Sequence, residues 1–98
     1  MYIICIQFDP VWENPPANHA RADALVASAD PRPGDLVLLP EMFATGFTMN
    51  ASAAAEPPGG PTRQYLSRLA ERRGIYVLGG VATARDSGAR NEAVLIAP

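Results

Sequence analysis

A chain of 98 residues, 48% apolar and 18% charged, has room for one domain with a modest core and lacks the polar bias of a disordered segment. Its formal net charge is −2 and all eight basic residues are arginine, which excludes a general attraction to nucleic acid or anionic membranes. One cysteine excludes an internal disulfide and fits a reducing compartment, and no run approaches the roughly 20 apolar residues of a membrane span.

The chain opens with YIICIQF, Tyr2 to Phe8, a strand by its β-favouring residues, ended by Asp9 and Pro10. Its near-continuous apolar character predicts burial on both faces. Cys5 is then expected as a small buried residue, because no arginine or histidine lies in the strand to favour a thiolate. The strand has no basic leader, and Gln7 and Asp9 interrupt it, so it does not read as a secretory signal and a cytoplasmic protein is expected.

Asn14 reads as a helix cap with Pro15 at the first helical position. The helix is expected from about Ala17 to Ala29, with Ala22, Leu25, Val26 and Ala29 as its apolar stripe. His19, the only histidine, has no second ligand near it in sequence, so a solvated or structural role is expected rather than a metal site. Asp30 to Asp35, DPRPGD, is loop chemistry.

Leu36 to Leu39 predicts a short buried strand stopped by Pro40, which puts Glu41 just past its C-terminal end. That edge is where open α/β sheets bind ligands. Met42, Phe43 and Phe47 surround Glu41 in sequence and predict a partly desolvated carboxylate. Desolvation moves a carboxylate towards the range in which a general base is effective near neutrality. Two readings stand at this point: a base, or a polar strand end turned to water.

Beyond Phe47 one short helical turn is expected, then irregular chain over Glu56 to Pro61. Gly59-Gly60 lacks the lysine and hydroxyl residue of a phosphate loop. Thr62 is read as the cap of a second main helix running to Arg73, with Leu66, Leu69 and Ala70 towards the sheet and Gly74 as its stop. Ile75 to Thr83 predicts a strand, Asp86-Ser87-Gly88 a turn, and Ala93 to Ile96 an antiparallel return strand. The alternation of strands and helices is that of an α/β layered domain.

These stretches carry a resemblance. LPEMFATGF resembles the glutamate motif of the nitrilase, or carbon–nitrogen hydrolase, superfamily. IICIQFDPVWENPPANHARADALV resembles that superfamily's first strand and helix, and IYVLGGVATA with NEAVLIAP its following hairpin, so the likeness runs from Tyr2 to Pro98. EMFATGFTMN together with VWENPPAN is most similar to the omega-amidase branch, which cleaves side-chain amides of 2-oxo acids.

The resemblance implies an α-β-β-α sandwich, of which residues 1–98 supply only the N-terminal portion of the domain. It also implies cofactor-free, metal-free hydrolysis of small linear amides by a Glu–Lys–Cys triad, with Glu41 as general base. Phe43, beside it, either lines the acyl pocket or packs in the core. The chain has no lysine and Cys5 lies in the first strand, so the other two triad members are expected downstream and the 98 residues alone are expected to be inactive. The implied partners are a small-molecule amide and, for the full-length enzyme, further copies of itself, with no nucleic acid and no membrane. A half-sandwich would leave apolar faces and strand edges open and favour association. The alternative is a non-catalytic truncated α/β module that binds or interacts.

Overall fold

A computed structural model describes residues 1–98. The elements are β1 (Ile3–Cys5), α1 (Pro15–Ala29), β2 (Leu36–Leu38), α2 (Ala51–Ala54), α3 (Pro61–Arg73), β3 (Tyr76–Arg85) and β4 (Gly88–Ile96). They form one sheet in the order β1-β2-β3-β4, parallel from β1 to β3, with β4 antiparallel to β3. The α/β class expected from the sequence is the one observed.

Both main helices cover the same face of the sheet. Ala22 and Val26 of α1, and Tyr65, Leu66, Leu69 and Ala70 of α3, share a buried cluster with Val37, Val77, Val81 and Val94. In α1 the Asn14 side chain accepts from the Ala17 amide at 3.2 Å and Pro15 opens the helix. Gly74 stops α3 in the left-handed region, as its sequence position suggested. Asp35 joins the start of the sheet together: its carboxylate accepts from the Tyr2 and Arg32 amides, both at 2.8 Å. Those two donors hold the Asp35 carboxyl below the usual carboxylate range.

The opposite face is uncovered. Cys5, Leu38, Leu78 and Leu95 lie across it in register, and Ile3, Leu36 and Tyr76 form a parallel row. Ile3 is 63% and Leu95 62% exposed. This corrects two expectations for β1: it is buried on one face only, and Cys5 is exposed. Of the apolar run Tyr2 to Phe8 only Ile3–Cys5 pairs as strand, and its second face is left exposed.

Other boundaries differ as well: β3 is Tyr76–Arg85 rather than Ile75 to Thr83, and the starts of α3 and β4 depart for identifiable reasons. Thr62 does not cap α3; Gly60 holds the cap position, and the Glu56 carboxylate takes the Thr62 amide at 2.7 Å and the Thr62 hydroxyl at 2.5 Å. An anionic side chain thus satisfies the free amides of the helix start. β4 begins at Gly88, well before Ala93, because the ladder continues to Arg85↔Gly88 around the two-residue turn Asp86-Ser87. An edge hairpin with solvent beside it needs backbone pairing rather than apolar side chains, so ARNE forms strand without looking like one.

Candidate active site

The chain leaves β2 with one more ladder bond, Leu39 N–H to the Leu78 carbonyl at 2.8 Å, and is then turned by Pro40. Residues 41–45 form a turn in which the Met42 carbonyl accepts from the Thr45 amide at 3.2 Å and the Gly46 amide at 2.8 Å. Met42 adopts φ 50, a left-handed conformation that costs a side-chain-bearing residue about 1–2 kcal/mol.

What holds this turn in place is a glycine of the neighbouring strand. A Cβ on Gly80 would lie 2.7 Å from the Glu41 Cα and 2.8 Å from the Met42 nitrogen, so the backbone carrying Glu41 rests directly on β3. From the other side Asn18, fully buried on α1, donates to the carbonyls of Val11 (2.8 Å) and Ala44 (2.7 Å) and accepts from the Val11 amide (2.7 Å). Its three bonds tie the chain before α1 to the turn after β2.

Glu41 therefore stands past the end of β2, at the rim of a recess of about 320 Å3 on the uncovered face. Leu39, Leu78, Gly79, Gly80, Asn91 and Ala93 line the rest of it. The Asn91 amide of β4 donates a hydrogen bond to Glu41 Oε1. The partly desolvated setting expected for Glu41 is not found: the residue is exposed, while Phe43 is buried in the core and Phe47 is itself exposed. It is nonetheless beside a cavity and hydrogen-bonded.

Phe43 is separated from Glu41 by burial. It is fully buried on the helix side, with its ring 6.1 Å from that of His19 and 6.2 Å from that of Tyr65. Phe43 packs in the core cluster and does not line the recess at Glu41. His19 is structural as well. Its ring stacks on Tyr65 at 4.8 Å, and Nε2 lies 2.8 Å from the Thr62 hydroxyl oxygen. Since that hydroxyl donates to Glu56, His19 Nε2 is the donor in this pair. Burial holds the His19 imidazole below its ordinary range, with Glu56 opposing and Arg68 reinforcing the effect.

A second recess, about 240 Å3, lies at the start of α3 beside Glu56, Arg63, Arg85 and Glu92. Its charges are largely spent within the fold: Arg85 pairs with Glu92 at 2.8 Å, and Glu56 caps the helix. The recess at Glu41 is the better candidate, since it alone of the two presents a carboxylate at a strand's C-terminal end.

Asn91, Asn18 and Gly80 are the site residues that sequence reasoning missed. The adjacent glycines Gly79-Gly80, which in a strand permit a bulge or a close approach, are the one visible signal of the contact at Gly80. Asn91 and Asn18 look like ordinary surface polar residues until the strands are assembled.

The family model described as carbon-nitrogen hydrolase matches residues 3–98. A nitrilase of Pyrococcus abyssi is 30% identical over 95% of this chain and 37% of its own length. An omega-amidase of Yersinia enterocolitica is 36% identical over 90% of this chain and 33% of its own. Among solved structures, a CN-hydrolase superfamily protein of Xanthomonas campestris, with an arsenic adduct in its active site, superposes with a TM-score of 0.87 at 33% identity. That match covers 98% of this chain and 36% of that one. The chain thus spans about a third of the length of the relatives it matches.

Proposed function

Because the chain belongs to the carbon-nitrogen hydrolase family, we propose that it is the base-carrying N-terminal portion of an omega-amidase-like enzyme that hydrolyses small linear amides. Glu41 is the general base in this reading. The observation that carries it is the placement of that carboxylate at the end of a central strand, on the rim of a recess, with a hydrogen bond fixing one oxygen.

The chemistry follows from what a carboxylate can do there. It takes a proton from a nucleophile as the nucleophile attacks the amide carbon, and donors elsewhere stabilise the developing oxyanion. The acyl group passes to the enzyme, the protonated carboxyl returns that proton to the departing nitrogen so that it leaves as ammonia, and the carboxylate so restored deprotonates the water that releases the acid. Neither the nucleophile nor a lysine is supplied by these 98 residues. The chain has no lysine, and Cys5, on β1, is not among the residues lining the recess. Both are assigned to sequence downstream of Pro98, in keeping with the third of a relative's length that the chain spans.

The test is ammonia release from an omega-amide. The 98-residue chain should release none, and the protein extended downstream should be active. Glu41→Gln in that longer protein should lower kcat by roughly 10²- to 10⁴-fold, the usual worth of a general base, with its melting temperature unchanged. Activity that survives the substitution removes Glu41 from the mechanism.

A further inference from the structure

We propose that Asn91 is a positioning residue for the base, its side-chain amide holding one oxygen of Glu41 and leaving the other free to take the proton. The inference rests on the assignment of Glu41 made above. The two residues are 50 apart in sequence and meet because β4 returns along β3 in a fixed register, Gly80↔Ala93 and Ala82↔Asn91. Gly80 supports the Glu41 backbone, and Asn91 sits diagonally across from Gly80 on the adjacent strand, within reach of the carboxylate. Backbone and side chain of the base are thus both set by the β3–β4 hairpin.

The chemistry of the pair suits this role. A carboxamide donates a hydrogen bond but has no proton to exchange near neutrality, so it orients the carboxylate without competing for the transferred proton. Glu41 Oε2 has no hydrogen-bond partner in the fold, and Glu41 is the one ionisable side chain lining the recess. The charged neighbours of Asn91 on β4 are engaged elsewhere: Arg90 bonds the Ser87 hydroxyl at 2.7 Å, and Glu92 pairs with Arg85. A flexible glutamate held in this way loses its rotamer freedom on folding rather than in the transition state.

The experiment uses the full-length protein and ammonia release from an omega-amide, with Glu41→Gln alongside. Asn91→Ala should lower kcat about 10- to 100-fold, the scale of a misplaced catalytic group, and leave KM within about twofold. Asn91→Asp keeps the size and shape and adds a pH signature. At low pH the Asp–Glu pair retains a shared proton and the protonated carboxyl donates in place of the amide, whereas at higher pH two carboxylates repel each other. The activity of Asn91→Asp relative to the native enzyme should therefore fall as pH rises, an effect that loss of packing alone does not produce. Asn91→Asp carries the test by itself if Asn91→Ala fails to fold. A native kcat in Asn91→Ala, or a pH-independent ratio for Asn91→Asp, overturns the inference while inactivity of Glu41→Gln leaves the base in place. Activity in Glu41→Gln overturns both.

Discussion

Gly79 and Gly80 are adjacent in β3 and face opposite worlds. A Cβ on Gly79 would meet the Phe43 ring at 3.1 Å and the Leu66 methyls at 3.3 and 3.4 Å, all side-chain atoms of the covered core. One on Gly80 would meet the Glu41 and Met42 backbone on the uncovered face. The twofold alternation of a strand separates the two neighbourhoods completely. One face is closed by helices and carries the stability of the fold; the other is open and carries the carboxylate.

The sharpest way to break this division is to remove a large side chain from each face. Phe43→Ala should cost about 3–5 kcal/mol in chemical denaturation, because a fully buried ring leaves a cavity among His19, Tyr65 and Leu66. Leu95→Ala should change stability by only about 0.5 kcal/mol and weaken self-association of the 98-residue chain in sedimentation, since Leu95 is largely exposed on the open face. Equal costs would show that the open face is closed by something in solution.

The glycine pair sharpens the comparison at a smaller scale. Gly80→Ala should destabilise by about 1–3 kcal/mol, because the obstacle is backbone that must move bodily. Gly79→Ala should stay within about 1 kcal/mol of native, since the side chains it meets need give by only a few tenths of an ångström and replacing glycine in a strand recovers backbone entropy. Equal effects would mean that the Glu41 turn is not held by β3.

The smallest expected effect is a pH dependence confined to the covered side. The His19 imidazole is held below 6.5 in the fold, so the unfolded chain binds the proton more readily. The stability that neutral His19 contributes should begin to fall as pH drops below 6.5 and be lost as pH passes through the folded value. Asp35 adds a second loss at lower pH, starting below 3.8 and completed through its depressed folded value. Unfolding titrations of His19→Gln should lack the first slope and keep the second.

Much of this architecture was legible in the residues. Asn14-Pro15 marked the start of α1, Gly74 marked the end of α3, and the apolar runs marked β1, β2 and β3. The position of Glu41 past a strand's end was legible too, because Pro40 after LVLL fixes where a strand must stop. The rest depends on contacts distant in sequence. The exposure of Cys5 depends on which layers cover the sheet, the cap on α3 comes from Glu56 six residues before Thr62, and the partner of Glu41 comes from a strand written in polar letters. Phe43 next to Glu41 in sequence suggested a shared pocket, and one left-handed residue between them, Met42, sends them to opposite sides.

The bond between Asn91 and Glu41 has a consequence for the order in which the protein is made. A nascent chain emerging from the ribosome has its carboxylate long before it has the amide that orients it, and α3 and the whole of β3 must be synthesised in between. Until residue 91 has been added, the Glu41 side chain lacks the hydrogen-bond partner that it has in the finished fold.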